Sequence, residues 1–154
     1  MQIQIDTREK QRAIKNIISY FDKRNIGHFS SKLYVGDYMS LDNPRLIIDR
    51  KQNLLELTQN VCQGYTRFTN ELKRAKDMDI KLVILCQHGK GIETLEDVKK
   101  WENPRLETSP YALSGGGLHK RLCMLSEKYG VEFEFCRPLE TGKRIVEILG
   151  EMKR

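Results

Sequence analysis

Between Leu33 and Lys51 the chain reads LYVGDYMSLDNPRLIIDRK, and this stretch gathers side chains that can do chemistry together. Asp37 follows Gly36, and the apolar run Leu46-Ile47-Ile48 ends in Asp49-Arg50-Lys51. Along a strand, successive side chains face opposite ways, so Asp49 and Lys51 are predicted on one face and Arg50 on the other. Ser40, Asp42, Asn43 and Pro44 form a turn-rich link that allows a hairpin-like return, which would bring Asp37 and Asp49 together. Two carboxylates and an amine at one point suit the holding of a divalent metal against a phosphodiester. Carboxylates supply hard oxygen ligands, and a lysine can orient or activate a water or steady developing negative charge. Two solvated turn acids are the plain alternative for Asp37 and Asp49, and it weakens once Asp6 and Lys51 join the set.

Several elements must position these groups. Ile3 and Ile5 alternate with polar residues in a first strand that delivers Asp6 at its end. Residues 11–24 place Ile14, Ile17, Ile18 and Phe21 at helical spacing, predicting an amphipathic helix over one side of a sheet. Gly27 permits a turn into a second strand over residues 28–33, whose polar alternation suits a sheet edge. Gly36 admits a turn or close backbone approach before Asp37, and Pro44 starts the strand that ends in Asp49-Arg50-Lys51. A short helix over residues 53–61 turns Leu54, Leu57 and Val61 inward, and Gly64 breaks it. A longer helix over residues 65–76 packs Tyr65, Phe68, Leu72 and Ala75, with Arg67, Glu71 and Arg74 on another face that either overhangs the carboxylates or meets water. The unalternating run from Lys81 to Cys86 suits a buried parallel strand covered on both faces.

Beyond residue 87 the signals weaken. Thr94 and Asp97 have capping-box spacing ahead of a helix through Leu95, Val98 and Trp101, stopped by Asn103-Pro104. At that spacing Trp101 reads as core rather than as a base-stacking platform. Ser114-Gly115-Gly116-Gly117 reads as a flexible loop at a helix start, because neither a GxxxxGK[ST] motif nor a strand-linked GxGxxG is present. His119, Lys120 and Arg121 follow and could meet a nucleic-acid backbone. The end of the chain has simple α/β order. A helix through Leu118, Leu122, Leu125 and Tyr129 stops at Gly130, a strand runs from Val131 to Cys136, and a last helix passes through Leu139, Ile145, Ile148 and Leu149 with Pro138 in its first turn.

A length of 154 residues with 39% hydrophobic content is that of one ordinary folded domain. No apolar run approaches the roughly 20 residues that cross a bilayer, and Asp6, Arg8 and Glu9 follow Met1 too closely for a signal peptide. The expectation is an intracellular protein, in cytoplasm or nucleoid, with no membrane partner. A formal charge of +6 permits a polyanionic partner such as nucleic acid without specifying one. Cys62, Cys86, Cys123 and Cys136 include no CxxC pair and so form no local metal knuckle, while Cys86 and Cys136 end apolar runs and read as buried thiols.

Three short motifs occur in order before residue 52: Asp6-Thr7-Arg8-Glu9, Gly36-Asp37-Tyr38 and Asp49-Arg50-Lys51. Together they resemble the XPF family of structure-specific nucleases within the PD-(D/E)XK superfamily. Asp49 stands where the family pattern has glutamate, and Leu55 where it has an acid, with Glu56 next door. The resemblance implies an α/β, restriction-endonuclease-like fold, with a central mixed sheet flanked by helices, and a single XPF-type nuclease domain over residues 1–154 without a helix-hairpin-helix module. It implies Mg²⁺- or Mn²⁺-dependent hydrolysis of DNA in branched, flap or junction form. Asp37, Asp49 and the backbone carbonyl of Arg50 would be the metal ligands, Lys51 would position the water or stabilise the pentacovalent phosphate, and Asp6 and Glu9 would orient the site or a second ion. Arg8, Glu71 and Arg67 would support those groups, and Arg74, Lys120 and Arg121 would contact DNA backbones. Such domains commonly pair, which implies a homodimer through the helical faces around Leu118 to Tyr129 and Leu139 to Leu149. The competing readings are a weak or inactive DNA-binding or assembly domain on a nuclease fold, and a sequence-specific restriction-like nuclease.

Overall fold

The structure, a computed structural model, describes residues 1–151. Six strands form one mixed sheet: β1 (Gln2–Ile5), β2 (Gly27–Ser30), β3 (Tyr38–Ser40), β4 (Asn43–Lys51), β5 (Lys81–Gln87) and β6 (Glu132–Cys136). Their order is β2-β1-β3-β4-β5-β6, so the polar second strand lies at an edge as its alternation predicts. The β1–β2, β4–β5 and β5–β6 pairs are parallel, and β3 is antiparallel to both neighbours. Five helices cover the sheet: α1 (Lys15–Lys23), α2 (Leu54–Val61), α3 (Tyr65–Asp77), α4 (Gly115–Tyr129) and α5 (Thr141–Glu151).

Strand alternation divides the core in two. Leu46, Ile48, Val83 and Leu85 bury against Ile14, Ile17 and Phe21 of the α1 segment and Ile145, Ile148 and Leu149 of α5. Ile47, Leu82, Ile84 and Cys86 bury against α2, α3 and α4 through Leu57, Phe68, Leu72 and Leu118. By the same two-residue period, Asp49 and Lys51 share the Ile47 face, beneath α3, and Arg50 shares the face of Ile48. Both faces of β5 are covered, which is why its sequence is apolar without alternation.

Several expectations change in detail. The first helix begins as a 3₁₀ turn at Gln11–Ala13 and becomes α-helical only at Lys15. Tyr65, expected to pack, is 47% exposed, and Leu139, placed in the last helix, lies in a 3₁₀ turn at 82% exposure. Thr94 and Asp97 do cap each other's backbone, but the segment they start is a 3₁₀ helix at Glu96–Lys100. Asn103-Pro104 opens a further 3₁₀ turn, Pro104–Glu107, rather than merely ending the previous one. Gly115, Gly116 and Gly117 are not a flexible loop: they form the first turn of α4, with Ser114 as the cap. A Cβ at Gly115 would strike the backbone carbonyl oxygens of Trp101 and Val98, so a glycine lets α4 lie directly on the 3₁₀ segment. The apolar residues of α4 and α5 that were expected at a dimer contact, Leu118, Leu122, Leu125, Ile145, Ile148 and Leu149, are all buried within the subunit. No helix among the described residues is long and apolar enough to cross a membrane.

Candidate active site

Asp37 sits at the entry to β3, where its backbone N–H donates to the Ile48 carbonyl at 2.7 Å and its carbonyl accepts from the Asp6 N–H at 2.8 Å. The chain reaches that position through Gly36, whose φ is +69°. A Cβ there would lie 2.5 Å from Ile47 Cγ2 and 3.1 Å from the Ile48 carbonyl oxygen, so only glycine lets the turn approach β4 this closely. One Asp37 carboxyl oxygen then accepts from the Arg50 N–H at 2.8 Å. The hairpin-like return thus ties Asp37 to the strand that carries Asp49.

Asp49, Lys51 and Glu71 meet on the face beneath α3. Lys51 Nζ lies 3.3 Å from Asp49 Oδ2, with side chains 11% and 7% exposed. The ammonium also stands 5.3 Å above the Phe68 ring centre. Burial opposes its charge, but Asp49, Glu71 and Glu56 outweigh burial and hold the Lys51 pKa above its ordinary value. Lys51 is therefore a cation at neutral pH.

Three carboxyl groups share this space, and their proton affinities divide. Burial first, and the neighbouring Asp49 charge second, push Glu71 up to about 8. The same two causes, in the same order, push Asp37 well above the carboxylate range. For Asp49 burial is again the largest influence, but Lys51's charge with hydrogen bonding to Glu71, Asp37 and Lys51 reverses it and leaves the group below its ordinary value. The raised proton affinities of Asp37 and Glu71 both answer the crowding of carboxyl groups around Asp49.

Beyond the approaches of these carboxyls and Lys51 to one another, Asp49 Oδ2 and Glu71 Oε1 are buried without a hydrogen-bond donor. Orphaned hard oxygens in a buried acidic cluster fit a divalent cation. Among the described residues no group of three or more His, Cys, Asp or Glu side chains is placed to hold a metal ion, so the protein offers a pair of carboxylates at most. Such a donor set suits an ion that keeps several waters, as Mg²⁺ does, rather than one enclosed by protein ligands.

The remaining motif residues take other positions. Asp6 is fully buried, and its oxygens accept from the Leu33 N–H at 2.7 Å, the Arg8 N–H at 3.0 Å and Arg8 Nε at 2.6 Å. Burial raises its pKa, but these hydrogen bonds prevail and leave it lowered. Both Glu9 oxygens accept from Arg50, Nε at 2.6 Å and Nη2 at 2.9 Å, on the sheet face opposite Lys51. Gln87 Oε1 accepts from Arg50 Nη1 at 3.3 Å, a partner that nothing in the local sequence around either residue announces. Glu56, beside the off-pattern Leu55, accepts from the Gln52 N–H at 2.7 Å, while Asn53 caps α2 by accepting from the Glu56 N–H.

Lys51 and Glu71 open into a groove of about 750 Å³, whose walls include Arg67, Arg74, Asn60 and Gln63. The Arg74 guanidinium lies 6.0 Å from the ring centre of exposed Tyr34. Arg121 lies apart, donating to the Val61 carbonyl at 3.0 Å and so joining α4 to the end of α2, and Lys120 is exposed on α4. Neither lines the groove. Glu71 is the residue whose importance the sequence understates, since only the folding of α3 over β4 brings it to Asp49.

A family model described as the ERCC4 domain matches residues 5–148. Among solved structures, XPF from Aeropyrum pernix superimposes with a TM-score of 0.67 at 17% identity, covering 100% of this chain and 62% of that one. XPF from Aeropyrum pernix in complex with DNA gives 0.69 at 16% identity, covering 97% and 64%. The chain thus spans somewhat under two thirds of these structures, and they show the shared fold. No curated protein sequence matches.

Proposed function

The chain belongs to the ERCC4 domain family, and from that premise we propose that it is a divalent-metal-dependent endonuclease acting on branched, flap or junction DNA. The observation that carries the reading is the buried meeting of Asp49, Glu71 and cationic Lys51 at the end of a basic groove, with Asp37 locked to the same strand. Asp37, Asp49 and the Arg50 backbone carbonyl would hold Mg²⁺ or Mn²⁺. When bound, the ion would supply Lewis-acid stabilisation of the charge that develops on the phosphodiester. Lys51 contributes a second positive charge at that phosphate, a role that its raised pKa favours. Glu71 stands close enough to Asp49 to exchange its proton for the ion's charge.

Asp6 and Glu9 act as positioning residues in this account, because all their oxygens are engaged. Asp6 anchors the loop that leads to Asp37, and Glu9 holds Arg50 beneath the strand that presents its carbonyl. Arg67 and Arg74 bind sugar-phosphate backbone along the groove, a contact that positions DNA without reading its sequence. Residues 1–154 act as one nuclease domain, and a homodimer would supply two such grooves for the arms of a branched substrate. Calorimetric titration with Mg²⁺ or Mn²⁺ tests the site directly. Asp37→Asn and Asp49→Asn should each lose most metal affinity while remaining folded, and unchanged affinity in both would refute it.

A further inference from the structure

We propose that Tyr111 and Arg105 form a stacking and phosphate-binding subsite for single-stranded DNA, in a hollow next to the groove that holds Lys51. The identity of the ligand rests on the nuclease reading above, whereas the subsite rests on its own geometry. Gln59 and Gln63 line the catalytic groove and also a second hollow of about 210 Å³, whose other wall carries Arg105 and Tyr111. The two hollows therefore adjoin, with Gln59 and Gln63 forming a wall of each.

Tyr111 is 96% exposed, the highest value among the large hydrophobic side chains described. Its loop is nevertheless built. Asn103 is only 3% exposed, and its side chain accepts from the Arg105 N–H at 3.0 Å and donates to the Leu113 carbonyl at 2.8 Å, clamping both ends of the segment. Within it the Ser109 N–H donates to the Arg105 carbonyl at 2.8 Å and the Ala112 N–H to the Ser109 carbonyl at 3.1 Å. An ordered backbone thus presents the ring to solvent. Arg105 makes no side-chain hydrogen bond or ion pair with any described residue, so its charge is available to a phosphate.

An exposed aromatic face beside an unpaired guanidinium, on a basic groove edged with amides, matches the needs of a single strand. Each unstacked base offers a π-face to the ring, and the backbone follows the positive charge. A duplex keeps its bases stacked on one another and has no face to offer Tyr111. A strand leaving a branch point near Lys51 would run over Gln59 and Gln63 to this platform.

Fluorescence anisotropy of a labelled oligothymidylate, measured in chelator so that nothing is cut, tests the proposal. Tyr111→Ala should weaken single-strand binding by about tenfold, Tyr111→Phe should retain it, and the affinity for blunt linear duplex should stay within about twofold in both. Arg105→Ala should lower the slope of log affinity against log salt by about 0.7. Wild-type affinity retained in Tyr111→Ala, or equal losses for single strand and duplex, would overturn the subsite. A protein that shows this pattern yet cuts no DNA when Mg²⁺ or Mn²⁺ is supplied would overturn the nuclease reading alone. One that cuts DNA while Tyr111→Ala binds oligothymidylate normally would overturn the subsite alone.

Discussion

Replacing Glu71 with glutamine should change how metal-free stability depends on pH. The Glu71 carboxyl is pushed up to about 8 from an ordinary 4.5, by burial and then by the Asp49 charge. Because the folded protein holds this proton more tightly than the unfolded chain, its contribution to stability is fully present below 4.5 and is lost as pH rises through about 8. At about 1.4 kcal/mol for each pH unit, crossing the window costs up to about 5 kcal/mol, a large share of the roughly 5–15 kcal/mol that holds a domain folded. Asp37, raised by the same causes, adds to the loss in the same direction. Glutamine keeps the shape and cannot ionise. In chelator, the Glu71 contribution should lower the wild-type urea midpoint by about 2 M between pH 5 and 8.5, and Glu71→Gln, which keeps Asp37, should lack that part of the fall, so that the variant becomes the more stable protein at the alkaline end. Parallel pH profiles for the two proteins would refute carboxylate crowding at Asp49 as the source of the loss.

Other residues test the scaffold around that cluster. Gly36→Ala should cost at least about 2 kcal/mol, since it adds a methyl against Ile47 at a positive φ, and equilibrium unfolding showing less than about half a kcal/mol would contradict the turn geometry. Asp6→Asn should cost about 1–3 kcal/mol, because an amide turned either way leaves a donor from Leu33 or Arg8 facing a donor; the midpoint of urea unfolding reads it, and an unshifted midpoint would remove the anchoring role. Sedimentation equilibrium with and without branched DNA should give about twice the chain mass of 18.0 kDa, and a mass near 18.0 kDa in both conditions would remove the dimer.

Local spacing was enough to read much of this molecule, and the places where it was not share a cause. The ends of β1 and β4 follow from period-2 patterning, the turn at Gly36 from the demands of glycine and the parallel strand β5 from an unbroken apolar run, all properties of a few neighbouring residues. Placing Asp49 and Lys51 on one face needed nothing more than strand alternation. Glu71 was legible only as a polar residue on a helix, because its raised pKa arises when α3 lies across β4, and that distance in sequence leaves no local mark. Glu9 was legible as an acid near the site, but its engagement by Arg50 spans 41 positions. The glycines at 115–117 look like a loop in isolation and become a helix because Trp101 and Val98 come up against Gly115. Leu139 satisfies the helical pattern of the last segment yet precedes α5 in a 3₁₀ turn that points it outward.

Single-turnover cleavage of a flap substrate, set beside binding of the same DNA, tests the central claim most directly. Lys51 stands at the phosphate in the proposed site as a charge that matters when negative charge develops, not as one contact among many in the groove. With saturating Mg²⁺ or Mn²⁺, wild-type protein should cut the flap in preference to linear duplex, and Lys51→Ala should lower the cleavage rate by about a hundredfold or more while flap affinity changes by less than about threefold. Equal losses of rate and affinity, or a rate unaffected by the substitution, would contradict it.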